Sequence, residues 1–409
     1  MRILHTADWH LGKRLDDFSR MEEQRAVLQE IGEVADREEA DAVLVAGDLF
    51  DTFNPSTEAV ELLYKTLKKL TNNGRRPVIA IAGNHDSPDR IESPDPLARE
   101  CGIIFAGYPH STIPPLRLDT GLEVVRSDEG FLELSLPGIA TPLRILLTPY
   151  ANEFRLKAYL GHENNEEEMR ALLQEKWQQL VDRYCDDRGV NILVSHLFMI
   201  QKGEPLPEEP EEEKPILHVG GAQAVYTENI PRGIQYTALG HLHRMRKVGS
   251  TPCPVYYSGS PLSYSFAEAN QKKYLLMVDA LPGESATVQE IELTQRRPLL
   301  RKRAEGVDEA LQWLAENRDA LVELTLVTNT FLTARERREL HAAHPGIVTI
   351  IPEVTLTDHQ MGSPSKRVDL DQGIESLFRD YFKHEKGQDP NDEIMELFTE
   401  LRAEEETEE

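Results

Sequence analysis

Three β-branched runs near the start of the chain each break off into a polar loop: Ile3 to Ala7 runs into DWH, Ala42 to Ala46 into GDLFD, and Val78 to Ala82 into GNHD. Helical periodicity fills the intervals, with Val27, Leu28, Ile31, Val34 and Ala35 on one stripe and Val60, Leu63, Leu67 and Leu70 on another. Pro55 and Ser56 supply the start signal of the second helix. Such alternation confines the region to an α/β layered domain. In an open α/β sheet the carboxyl ends of neighbouring strands face one crevice, so Asp8, His10, Asp48, Asn84, His85 and Asp86 are expected to meet there. Strands predicted at Asn191 to Ser195 and Tyr236 to Leu239 bring His196, His241 and His243 to the same end.

Further along, Val255 to Ser258 reads as another strand and Glu166 to Tyr184 as a charged helix. Tyr274 to Ala280 and Thr287 to Leu293 read as a hairpin closing the domain. After Pro298 the pattern becomes a small βαβαβ-like unit. It has a helix around Ala310 to Leu314, a strand Leu321 to Val327, a helix opened by a Thr333/Glu336 capping box and a strand Val348 to Ile351. From Arg367 two helices are predicted on either side of GQDPND, with stripes Ile374, Leu377, Phe378, Tyr381 and Ile394, Leu397, Phe398, Leu401. Such a helical pair either packs back on its own domain or docks on a partner through Phe378, Tyr381, Phe382 and Phe398. The expected division is 1–297, 298–366 and 367–409, the last ending in an acidic tail.

Charge narrows the function. Across 409 residues, 45 basic side chains against 71 acidic ones give −26, the wrong sign for a protein that grips nucleic acid by a broad basic surface. Glu204 to Lys214 carries six acids and one base, and Asp389 to Glu409 carries ten acids and one Arg. The remainder is only moderately acidic, so phosphate binding is expected to be local and metal-assisted. No apolar run nears the ~20 residues of a membrane span, and Asp8 and His10 interrupt any signal-peptide core. Cys101, Cys185 and Cys253 are scattered without a CxxC pair, which excludes a disulfide framework and a zinc knuckle and makes the cytoplasm the expected compartment. No Walker-type GxxxxGK loop followed by Ser or Thr occurs, so ATP binding of that kind is not expected of this chain.

The seven candidate ligands Asp8, His10, Asp48, Asn84, His196, His241 and His243 mix carboxylate, imidazole and carboxamide without thiolate, a set that suits Mn²⁺, Zn²⁺ or Fe²⁺. Seven exceed what one ion can use while keeping a water position open, so a pair of ions bridged by a carboxylate is expected. Asp-x-His and His-x-His spacings put both members on one face, which lets each pair serve adjacent positions.

In that order, DWH, GDLFD, GNHD, SH and GHLH resemble the motif set of the calcineurin-like metallophosphoesterases. The longer strings HTADWHLGK, VAGDLFDTFNPS, ALGHLH and YSGSP are similar, more narrowly, to the SbcD type, the nuclease subunits of bacterial complexes with SbcC. The resemblance implies a layered β-sandwich flanked by helices, followed by a small α+β capping domain and C-terminal helices. It implies that Asp8, His10 and His243 hold one ion and Asn84, His196 and His241 the other, with Asp48 bridging. His85 is then the residue over the scissile phosphate that serves the leaving 3′-oxygen, with Asp86 orienting it, and a water between the ions is the nucleophile. Two divalent ions, Mn²⁺ above all, are the implied cofactors. The implied activities are 3′-to-5′ exonuclease action on duplex DNA ends and endonuclease action on single strands and hairpins, in recombination and repair. The implied partners are DNA, an SbcC-type coiled-coil ATPase attached through the C-terminal helices, and a second copy in a homodimer within a heterotetramer.

Two rivals stand beside this reading. One is a stand-alone phosphodiesterase or phosphatase for small nucleotides or phosphoproteins, which has no evident use for the middle domain and the terminal helices. The other is a scaffold that positions an ATPase on DNA, which an intact ligand set disfavours. Trp9 is expected to pack beneath the site. Lys13 and Arg14 either grip a DNA backbone or remain solvated, and no DNA-tracking residue is assigned.

Overall fold

Strand residues sort by parity, as a period of two requires. On Arg2–Thr6, Ala42–Val45, Val78–Ile81 and Ile103–Ala106, the side chains of Ile3, Leu44, Ile79, Ile81 and Ile104 enter one buried cluster, and those of Leu4, Val43, Val45, Val78 and Phe105 enter another. Both faces of this sheet are therefore covered, which is why its strands read as unbroken apolar runs. The structure is a computed structural model that describes residues 1–156, 165–204, 224–328 and 332–354, together with 376–379, 382, 390, 395 and 398.

The first sheet has six strands, in the order Thr287–Glu292, Tyr274–Asp279, Arg2–Thr6, Ala42–Val45, Val78–Ile81, Ile103–Ala106. The last four run parallel, and the predicted hairpin adds antiparallel with Ile3 opposite Val278. The second sheet has seven strands, in the order Arg246–Gly249, Val255–Tyr257, Tyr236–Leu239, Val190–Ser195, Ile139–Thr148, Phe131–Leu136, Glu123–Asp128. Its inner face supplies Leu132, Leu134, Leu143, Ile145, Ile192 and Val194 to the cluster shared with Ile3 and Ile79. The result is an α/β sandwich in which two sheets share one core and helices cover the outer faces.

Helix Met21–Arg37 lays Val27, Leu28, Ile31 and Val34 on the outer face of the first sheet. Beside it, helix Thr57–Leu70 begins where the side chain of Ser56 accepts a hydrogen bond from the Ala59 amide, and it buries Leu63, Leu67 and Leu70. Leu67 is fully buried, so Leu67→Ala is expected to cost about 2–5 kcal/mol of stability. The check is a lower urea midpoint at unchanged slope. On the far side, helix Asn165–Tyr184 packs Met169, Leu173, Trp177 and Val181 against Phe131, Leu193 and Tyr257 of the second sheet.

Strands Glu123–Asp128, Phe131–Leu136 and Ile139–Thr148 are not among those expected from the sequence. Glu133 and Arg144 stand opposite each other across two of these strands as a buried ion pair, Nε to Oε2 at 2.7 Å. Leu132, Leu134 and Leu136 alternate with Glu133 and Ser135, and Leu143 and Ile145 flank Arg144, so both strands keep the period of two and turn their aliphatic side chains into the shared core.

After Pro298 lie strands Leu299–Glu305, Leu321–Thr328 and Ile347–Val354 in one three-stranded sheet, with helices Val307–Glu316 and Ala334–Ala343 between them. Thr333 and Glu336 form the predicted capping box. Of the terminal segment, Ser376–Arg379, Phe382, Met395 and Phe398 are helical, and the rings of Phe378 and Phe398 stack at 4.1 Å and 10°. Ile374, Tyr381, Ile394, Leu397, Leu401, the acidic tail and most of the acidic run after Glu204 lie outside the described residues. Among the described residues no helix is long and apolar enough to cross a membrane.

Candidate metal centre

The polar loops at the strand ends close on one another through unusual backbone. Asp8, His10, Asp48 and His241 hold φ values of 54°, 43°, 50° and 105°, a region that side-chain-bearing residues seldom occupy. Hydrogen bonds between the loops fix it: Asp8 N to Gly47 O at 2.9 Å, His10 N to Asp48 O at 3.0 Å and Leu11 N to Leu49 O at 3.0 Å. Glycine makes the approach possible. A Cβ on Gly83 would stand 2.1 Å from Asp48 Oδ1, and one on Gly240 would stand 1.9 Å from the Ala46 carbonyl oxygen.

This lacing brings all seven predicted ligands together, each at or near the carboxyl end of a strand. His10 Nε2 and His243 Nε2 are 3.0 Å apart. Asp48 Oδ2 lies 3.5 Å from His10 Nε2 on one side and 3.4 Å from His196 Nε2 on the other. Asn84 Oδ1 stands 3.0 Å from His196 Nε2 and 3.1 Å from His241 Nδ1. Asp8 receives the His241 amide at 2.9 Å and lies in one group with His10 and Asp48. Except for Asn84, which is partly exposed, these side chains are buried.

The electrostatics are those of donors awaiting a cation. Burial drives His10 well down and takes His241 to about 3, so both rings are neutral, the form that ligates. Burial likewise lifts Asp8 to about 7. At His196 burial opposes charge, but Asp48 and Asp8 more than reverse it and raise the ring to about 9. His196 Nδ1 is bonded to the Ala46 carbonyl at 2.8 Å, so its Nε2 aims at the two acceptors Asn84 Oδ1 and Asp48 Oδ2. Acceptors facing one another in a dry pocket need a proton or a cation between them. Among the described residues, His241 Nε2 is a buried nitrogen with no hydrogen-bond partner. The residues present fit divalent metal.

A family model described as calcineurin-like phosphoesterase matches residues 1–245. The SbcD chain of the SbcCD nuclease of Bacillus subtilis (strain 168) is 36% identical over 412 aligned positions, covering 98% of this chain and 98% of that protein. The protein of the same name from Rhodobacter capsulatus is 34% identical over 75% of this chain and 72% of its own length. That from Staphylococcus epidermidis is 30% identical over 68% and 66%. The chain belongs to the SbcD family.

Around the pocket of this SbcD-type chain, one expected contact is replaced by another. Asp86 does not orient His85: its carboxylate accepts the amides of Gly83 at 2.8 Å, Phe50 at 2.9 Å and Leu49 at 3.0 Å, and so ties the second polar loop to the third. His85 Nδ1 is instead 2.8 Å from the Asp51 carbonyl oxygen, while the His85 amide donates to Asp48 Oδ1 at 2.9 Å. Lys13 is paired with Asp51 at 2.8 Å. Trp9 is fully buried beneath the loops, as expected.

Several residues of this SbcD-type pocket have no sequence signal that singles them out. Arg155 is buried and clamps both ends of the third loop, Nη1 on Gly83 O at 2.7 Å and Nη2 on Asp86 O at 2.8 Å. Gln24 Nε2 donates to His10 O at 2.9 Å, and Tyr264 sets its ring edge-on to His10 at 5.5 Å. Glu268 stands beside His243. Burial works against its charge, but Lys273 and His243 outweigh burial and take it down to about 2. Asp51 is the one that could have been found, as the second acid of GDLFD; it groups with His10 and His85.

Proposed function

We propose that the chain is a two-metal DNA phosphodiesterase, the nuclease subunit of an ATP-dependent complex that trims duplex ends 3′ to 5′ and cuts single strands and hairpins during recombination and repair. The carrying observation is Asp48: one carboxylate oxygen stands within 3.5 Å of His10 Nε2 and 3.4 Å of His196 Nε2, between two sets of donors. That placement supports Asp8, His10 and His243 as one set, Asn84, His196 and His241 as the other, and Asp48 as the bridge. Two divalent ions, Mn²⁺ by this reading, would supply a water ionised near neutral pH and positive charge against the phosphoryl oxygens.

The chain's own side chains do the rest. His85 is held through Nδ1–H by the Asp51 carbonyl, which leaves Nε2 to give the leaving 3′-oxygen the second proton of the imidazolium form, the ring returning to neutral with its hydrogen on Nδ1. Asp86 and Arg155 hold the loop that presents it. The buried walls exclude bulk water, which strengthens each charge inside.

The proposed division is a nuclease domain 1–297, a capping domain 298–366 that shapes access, and a partner-binding segment 367–409. The relatives are named as subunits of an SbcCD nuclease, which supports an SbcC-type partner; the proposal adds that this partner is a coiled-coil ATPase and that two copies of this chain join it in a heterotetramer. Its basic surface would compensate for the acidity of this chain. Assaying linear duplex DNA against bis-(p-nitrophenyl) phosphate and cyclic nucleotides with Mn²⁺ tests the substrate class. Cleavage of the small substrates alone would overturn the nuclease reading. Deletion from Arg367 onward is expected to leave Mn²⁺-dependent cleavage intact and abolish co-purification with the ATPase. A surviving complex would place the partner surface elsewhere.

A further inference from the structure

Behind His243, outside the five polar motifs, lies a buried ionic cluster. Lys273 is 2% exposed and Glu268 2% exposed, and the two pair directly through Nζ and Oε2. The other hydrogens of the ammonium go to the His243 carbonyl oxygen at 3.0 Å and to Ser260 Oγ at 3.0 Å. The second carboxylate oxygen, Glu268 Oε1, accepts the Tyr264 amide at 2.9 Å and faces His243 Nδ1 at 3.6 Å. Thus one residue pair touches both the backbone and the ring of His243.

A buried charge pair is costly to assemble and is weak evidence for stability in itself. Its placement points to another use. A carboxylate only accepts, so at Nδ1 it favours the tautomer that carries the hydrogen there and leaves the lone pair on Nε2. Nε2 is the atom that meets His10 Nε2 at 3.0 Å. Lys273 pairs with that carboxylate and donates to the His243 carbonyl oxygen, so one residue pair holds His243 by its backbone and by its ring. Outer partners of this kind typically contribute ~10–100-fold to metal affinity.

We propose that Glu268 and Lys273 are a positioning pair for His243 that sets the affinity of one cation position, the one built on Asp8, His10 and His243, and leaves the other unchanged. The inference rests on the metal-centre reading above. The test is titration of the full-length protein with Mn²⁺, following free and bound metal by electron paramagnetic resonance, with circular dichroism as the check of folding. Wild type is expected to bind two ions. Glu268→Ala is expected to weaken one of them by about 10–100-fold and spare the other. Glu268→Gln, which keeps an oxygen toward Nδ1, is expected to recover most of that loss. Should Glu268→Ala fail to fold, the double variant Glu268→Leu/Lys273→Met removes both charges at similar volume and is expected to show the same one-sided weakening. Unchanged binding of both ions, or equal weakening of both, in a folded variant overturns the proposal. A wild-type protein that binds no Mn²⁺ overturns the metal-centre reading itself.

Discussion

Asp48→Asn is expected to abolish tight binding of the metal pair and, with it, phosphodiester cleavage. The substitution is nearly isosteric, so packing is preserved, but it removes the negative charge from the one oxygen that stands within 3.5 Å of His10 and 3.4 Å of His196. The pocket also holds Asp8, His241 and His243, all buried, so no solvent is at hand to replace that charge. A ligand shared by two positions should cost more than the ~10–100-fold typical of an outer partner. Calorimetric titration with Mn²⁺ checks this. Two tight sites surviving in the Asn variant would show that Asp48 does not bridge.

His85→Ala is expected to separate binding from chemistry. Its ring is anchored on the Asp51 carbonyl at 2.8 Å and is only partly buried, while its amide, not its side chain, supports Asp48. Truncation therefore leaves the donor set in place. A positioned proton donor usually contributes ~10²–10⁴-fold to rate, so kcat is expected to fall by that factor at unchanged Mn²⁺ stoichiometry and little-changed DNA affinity. A variant that cleaves at the wild-type rate would remove His85 from the chemistry. One that loses metal would recast it as a ligand.

Much of the arrangement was legible from the residues because strand ends broadcast it. Where Ile79 and Ile81 alternate with Val78 and Ala80, burial on both faces leaves an unbroken apolar run, and the polar residues that follow can only be at its end. Ser56 likewise announces its helix by chemistry local to the chain. What stayed hidden depends on partners distant in sequence. Glu268 and Lys273 sit in a polar stretch that resembles solvated surface, and only the return of the chain beneath His243 buries them. Glu133 and Arg144 likewise become partners only when their two strands stand side by side. Asp86 misleads in the opposite sense, since adjacency to His85 suggests contact, whereas the turn sends the two side chains apart.

The donors come from both sheets: Asp8, His10, Asp48 and Asn84 follow strands of the first, and His196, His241 and His243 follow strands of the second. A cation held among them is thus a rivet through the seam of the sandwich. Loading it should fasten the loop-bearing ends of two sheets that already share a core, so that chelation loosens that end and heat parts the sheets there first.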